Sequence, residues 1–316
     1  MQATDSIAKC SSFYRRQKLM GNQFELTAVS DNELLAEEAL DAGITEIQRI
    51  EKLLTTFTED SQTAEINRNA GKRAVRVDAE VFALIERSLK ISRLTQGAFD
   101  ISYGSVDKKL WNFDTSMTAL PDSEIAKKSV RLINYRNILL NAGEQTIFLK
   151  EAGMRIGFGG IGKGYAADRA KLVMQKHNLK SGVVNASGDL VTWGHQPNGK
   201  PWNIGIADPQ GRNKAFSSLM ISDMAVATSG SYEKFAVING KRYSHTIDPR
   251  TGLPVTGIKS ATVICASAEL ADAMATPLMV MGIEAGLFLV NQLAGMACVL
   301  IDDKDKLYTS NNISIV

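Results

Sequence analysis

Residues 157–165 read Gly157-Phe158-Gly159-Gly160-Ile161-Gly162-Lys163-Gly164-Tyr165 and lead into a helical pattern over about 164–178. Glycines let backbone N–H groups converge, a helix N-terminus adds partial positive charge, and Lys163 adds a full one. Together these suit a phosphate or diphosphate. Two familiar motifs overlap here. Gly157, Gly159 and Gly162 satisfy the dinucleotide pattern GxGxxG, but no acidic residue follows about 20 positions on at the end of a second strand. Gly157 to Lys163 also satisfies GxxxxGK, yet Gly164 stands where a P-loop needs Ser or Thr for Mg²⁺. A plainer alternative is glycines that only let a loop pack closely against a sheet.

Outward from this loop the chain divides. Upstream, Phe24, Leu26 and Ala28 alternate as a strand, followed by a helix with a capping box from Ser30 to Glu33. Leu40, Ile44, Ile47, Ile50 and Leu54 give that helix one apolar stripe. A second helix starts at Asp78, carries Val81, Ile85 and Leu89, and stops near Gly97. Segment 98–135, with Trp111 and Phe113, reads as irregular. From residue 137 short strands dominate: 138–140, 146–149, 155–158, 182–186, 202–206, 218–227, 232–238, 241–247 and 259–265. A helix over about 268–292 and a last strand pair close the chain. Early helices and late strand meanders predict an α+β protein with mixed or antiparallel sheets and packed helices.

Across 316 residues, 36 basic and 34 acidic side chains leave a net charge of +2. That balance argues against a nucleic-acid arm or polybasic membrane patch. Apolar residues at 44% and charged residues at 22% describe an ordinary globular chain. Cys10, Cys265 and Cys298 lack metal-ligand spacing, and the latter two sit in apolar runs, so they read as buried reduced thiols on strands. The first 20 residues hold no apolar stretch of signal-peptide length, and the apolar region 278–301 is interrupted by Gly282, Glu284, Asn291 and Gln292. A cytoplasmic protein without a membrane anchor is expected. Residues 1–19 are expected as a tail before one domain over 20–316, helix-rich to about 135 and strand-rich beyond.

Asp272 and Thr276 stand at i and i+4 near the start of the last helix, so a carboxylate and a hydroxyl share a face. Hard oxygen ligands of this kind suit Mg²⁺; alternatively, Asp272 only complements the helix dipole. In Tyr243-Ser244-His245-Thr246-Ile247-Asp248-Pro249-Arg250-Thr251-Gly252, His245 sits at a strand end before a proline turn. That placement suits a base, although a lone histidine is more often structural.

These segments together resemble the FAD:protein FMN transferase family, the ApbE-type flavin transferases. Matching stretches are Met20-Gly21-Asn22; residues 57–61 with Glu65-Ile66-Asn67; residues 95–100 leading to Leu110-Trp111; residues 160–168; residues 227–232; the segment from Ser244 to Gly252; and Ala271-Asp272-Ala273 with Thr276. The resemblance implies a T-fold-related protein with an FAD-binding cleft. With Mg²⁺ it would transfer FMN from FAD to a Thr or Ser of an acceptor protein, releasing AMP. It implies Met20, Phe57, Ala98, Phe99, Asp100, Lys163 and Ile247 lining the FAD site. Gly160 (through its carbonyl), Asp272 and Thr276 would hold the metal, and His245 would be the base. Departures from the family pattern are Gly157 for Asp, Ser187 for the first of a glycine pair, Phe57 for Tyr in some members, and Ala275 at a position acidic in some. Attack by a hydroxyl on a diphosphate needs neutralised phosphates and a proton acceptor. The same site could hydrolyse FAD to FMN and AMP, or only bind flavin, and Asp248 is the rival base.

Overall fold

The computed structural model describes residues 10–106, 119–207, 215–230, 235–238, 241–244 and 246–313. Its largest element is an antiparallel sheet of eight strands in the order β1 (Ser11–Leu19), β2 (Asn22–Ser30), β6 (Ser181–Ala186), β7 (Asp189–Trp193), β10 (Ala225–Gly230), β13 (Ile258–Cys265), β14 (Ala297–Asp302) and β15 (Leu307–Thr309). Strand β1 lies within the segment expected as a tail and pairs along its whole length with β2.

Period-two alternation gives this sheet two buried faces. Val184, Val191, Ala225, Ala227, Val263 and Leu300 share one core with α1 (Glu33–Leu54), α5 (Gly162–Lys176) and α6 (Ala268–Met281). Their sequence neighbours Val183, Leu190, Val226, Ile264 and Val299 pack with Trp202, Ile204, Leu219 and Ile221 of the hairpin β8 (Trp202–Ala207) and β9 (Ala215–Ile221). Strands β3 (Val75–Arg76), β5 (Thr146–Leu149) and β4 (Ile138–Asn141) form a small second sheet. The α+β reading holds. Cys265 and Cys298 are buried free thiols on strands, as expected, and burial pushes each thiol pKa up to about 11.

The apolar stripe of α1 is buried throughout. Each such side chain contributes roughly 1.5–3 kcal/mol, against about 1 kcal/mol for a cap, so the stripe fixes the helix whichever residue starts it. The cap is Asn32, whose side chain accepts from the Leu35 N–H at 3.3 Å. Ser30 instead ends β2 and accepts from the Asn32 N–H at 3.0 Å. The helix expected from Asp78 is α3 (Ala79–Leu94). Helices α5 and α6 pack on each other, and the small residues Ala166, Ala167 and Ala170 of α5 and Ala268, Ala271 and Ala275 of α6 are all buried.

Several expected elements differ. Residues 155–158 are not a strand: the Asn67 side chain bonds both the N–H and the carbonyl of Ile156, at 2.7 and 3.0 Å, and the Ile101 carbonyl takes the Gly157 N–H. Backbone groups satisfied this way need no ladder. The run 218–227 breaks at Ser222–Met224, with Asp223 at φ 57°, into β9 and β10. The long last helix is α6 followed by α7 (Ile283–Val290), broken at Gly282 with φ 83°. Strand β7 escapes sequence reading because all five of its residues are buried and nothing alternates. Segment 98–135 holds a 3₁₀ turn at Ile101–Ser105 and α4 (Ser123–Ser129), while Leu110, Trp111 and Phe113 lie outside the described residues. The expected strands at 232–238 and 241–247 form the hairpin β11 (Phe235–Ile238) and β12 (Lys241–Ser244). Among the described residues no helix is long and apolar enough to cross a membrane.

Candidate active site

Helix α5 starts at Gly162, and its N-cap residue Ile161 offers no side-chain hydrogen bond. Exposed first-turn N–H groups must find acceptors elsewhere. Asp272, from α6, supplies one: its Oδ2 accepts from the Gly164 N–H at 3.0 Å, and the Lys163 N–H also bonds this carboxylate. A Cβ on Gly164 would lie 2.0 Å from the Ala268 carbonyl oxygen and 2.8 Å from the Asp272 Cβ, so only glycine permits the approach. One turn further along the same face of α5, Asp168 ties the start of α6. Its carboxylate accepts from the Ser267 hydroxyl at 2.8 Å and from the Ala268 and Glu269 N–H groups at 3.0 Å each. Each helix therefore caps the other.

Asp272 is buried, and desolvation followed by the nearby Asp189 charge pushes its pKa up to about 7 against the pull of Lys163 and the two N–H groups. Asp189 opens β7 and is itself buried; its Oδ1 accepts from the Thr228 N–H at 3.3 Å and its Oδ2 binds the Lys163 ammonium. One turn beyond Asp272, Thr276 Oγ1 lies 2.8 Å from Ser229 Oγ on β10. Asp272 thus joins the glycine loop directly, with Lys163 held beside it and Thr276 one turn away.

Among the described residues no group of three or more His, Cys, Asp or Glu side chains is arranged to hold a metal. What the site offers is one buried carboxylate, a hydroxyl one turn away, and a second buried carboxylate beside them. That set fits Mg²⁺, a hard cation that usually takes only one or two protein carboxylates and fills its remaining positions with water and phosphate oxygens.

Around the loop, four of the expected lining residues converge. A Cβ on Gly162 would lie 3.5 Å from Met20 Cε, and one on Gly160 would lie 3.8 Å from the Phe99 ring. Thr56 abuts Gly157, and the adjoining Phe57 is 97% exposed. Ala98 is buried next to Phe99. Asp100 is committed to the backbone, accepting from the Ser102 N–H and hydroxyl at 2.8 and 2.6 Å and the Tyr135 N–H at 2.7 Å; burial pushes its pKa up. Ile247 does not join them. It is buried with Ala126, Val130 and Ile133 of and beyond α4, and it bridges to Pro254.

His245 lies outside the described residues, between Ser244 and Thr246. The turn after it is defined: the Asp248 carbonyl accepts from the Gly252 N–H at 2.9 Å, and the Asp248 carboxylate grips Arg250 through backbone and guanidinium. Gly252 packs against the Ala126 carbonyl of α4.

Asp189, Ser229 and Asp168 were not assigned roles from sequence. The signal for Asp189 was an acid opening a strand directly after the Ser187–Gly188 turn, where Ser187 adopts φ 54° in place of a glycine. For Asp168 it was an acid in the first turns of a helix, which reads equally as solvated surface.

A family model described as the ApbE family matches residues 20–300. An FAD:protein FMN transferase of Treponema pallidum is 33% identical over 278 residues, covering 83% of this chain and 76% of the relative. One from Klebsiella pneumoniae is 30% identical over 300 residues, covering 94% and 89%. The crystal structure of the ApbE protein of Thermotoga maritima superposes with a TM-score of 0.84 at 29% identity, over 95% of this chain and 97% of that one. The flavin transferase ApbE of Vibrio cholerae shares the fold, with a TM-score of 0.83 at 23% identity over 96% and 98%. With the family model, sequence identity and fold in agreement over nearly its whole length, the chain belongs to the ApbE family.

Proposed function

We propose that this protein transfers FMN from FAD to a Thr or Ser hydroxyl of an acceptor protein, with Mg²⁺, releasing AMP. The supporting observation is the convergence of Asp272, Thr276 and Lys163 on the start of α5, beside the exposed Phe57. Such a place suits a diphosphate bound together with a cation. Relatives at 30–33% identity are named FAD:protein FMN transferases, which supports transfer of FMN from FAD to a protein. The cleft around the glycine loop takes FAD, and the fold is T-fold-related.

In the reaction the acceptor oxygen attacks the FMN-side phosphorus, the bond to the bridging oxygen breaks, and AMP leaves with that electron pair. Asp272, Thr276 and the Gly160 carbonyl would hold Mg²⁺, which would supply charge neutralisation on the diphosphate. Lys163 and the loop N–H groups add fixed positive charge around the bound diphosphate. Met20, Phe57 and Phe99 place the flavin end; Ala98 and Asp100 shape the walls behind them, and Ile247 supports the segment around His245 from the cluster beneath α4. His245 accepts the hydroxyl proton. Asp248 is the weaker candidate, because its carboxylate is occupied in holding Arg250 and the turn.

Intact-mass spectrometry of a flavin-free acceptor protein, incubated with FAD, Mg²⁺ and this enzyme, tests the reading. A gain of FMN less one water on a Thr or Ser supports it. AMP and free FMN with an unmodified acceptor would mark a hydrolase.

A further inference from the structure

We propose that Asp189 is a positioning residue: it holds the Lys163 ammonium away from the Asp272 carboxylate and so keeps Asp272 open to a divalent cation. This rests on the metal role given to Asp272 above.

Lys163 is rooted beside Asp272, since its own backbone N–H bonds that carboxylate. A four-carbon side chain starting there has Asp272 within its swing. An ammonium settled on Asp272 would occupy the oxygens a cation needs and cancel the charge that attracts it. In the structure the ammonium is bound by Asp189 Oδ2.

Asp189 is built to hold it. The carboxylate is 4% exposed, fixed at the head of β7, and its other oxygen is anchored by the Thr228 N–H on the adjacent strand. The Lys163 side chain keeps 25% of its surface accessible, so the charge is tethered but still presented outward. Asp189 bonds Lys163 and the strand backbone, whereas Thr276 Oγ1 and Ser229 Oγ meet at 2.8 Å one turn beyond Asp272. The two carboxylates divide the work: one restrains the lysine, the other meets the metal.

Binding of Mn²⁺ alone to the full chain, followed by electron paramagnetic resonance, tests this without turnover. Asp189→Asn should weaken Mn²⁺ binding about ten- to a hundredfold, the usual scale for losing a group that orients a metal ligand. Lys163→Met should bind Mn²⁺ at least as well as wild type. The double variant Asp189→Asn/Lys163→Met should return to the Lys163→Met value, because no ammonium remains to intrude. Asp189→Asn equal to wild type, or a double variant as weak as Asp189→Asn alone, overturns the proposal; the latter makes Asp189 a ligand or a scaffold. Wild type taking up no Mn²⁺, or Asp272→Asn matching wild type, would instead remove the metal assignment itself and this proposal with it.

Discussion

The Gly164 N–H donates to Asp272 Oδ2 at 3.0 Å, so a carboxylate from α6 caps the first turn of α5. A side chain that caps a helix and is also proposed to bind the metal would couple the stability of the fold to the state of the site. Asp272 is pushed up to about 7 in the folded protein, against an ordinary value near 4 when unfolded. Between those values the folded state holds a proton that the unfolded state has lost, so stability falls as pH rises through that window. Urea unfolding of the metal-free protein should show this decline in wild type relative to Asp272→Asn, and saturating Mg²⁺ should reverse it. Parallel profiles for the two proteins would contradict it.

Gly164→Ala should be among the most damaging single changes in the chain. Its Cβ would meet the Ala268 carbonyl at 2.0 Å, and backbone cannot yield as a side-chain tip can. Overpacking typically costs about 1–3 kcal/mol. Chemical denaturation should show at least that loss, together with weaker Mn²⁺ binding as α5 and α6 separate.

Lys163→Ala should act mainly on KM for FAD. An ammonium that touches the phosphates in both ground and transition states contributes uniform binding. An unchanged KM with collapsed kcat would assign it a transition-state role instead.

His245 must be neutral to accept a proton, and an ordinary histidine near 6.5 allows that at neutral pH. The kcat profile should fall on the acid side, and His245→Ala should lose about 10²–10⁴-fold in rate while still binding FAD. His245→Asn should not rescue the rate. Single-turnover AMP release by His245→Asn and Asp248→Asn across pH separates the two bases; a near-normal His245→Asn with its acid limb intact rules out the histidine.

Much of this was legible in the sequence. The α1 stripe and the Asp272/Thr276 spacing are local periodicities, and local periodicity survives folding. What the chain hides is long-range. Asp189 acquires its role from a lysine 26 residues away and a strand partner 39 away, which no spacing rule reaches. Residues 155–158 look like a strand because their apolar pattern is correct, but Asn67 takes the backbone bonds a strand would need. Ile247 alternates onto the face expected of a binding residue and is instead drawn into the apolar contact beneath α4. Glycine at 282 reads as an interruption of one helix, and its positive φ makes two.

The most direct test of FMN transfer is the ratio of AMP released to flavin covalently gained by an acceptor protein, measured in one reaction by chromatography and intact mass. One AMP per FMN attached to a Thr or Ser, with neither formed by Asp272→Ala, is the predicted result. AMP matched by free FMN while the acceptor mass stays unchanged, or FAD bound with no AMP at all, would contradict it.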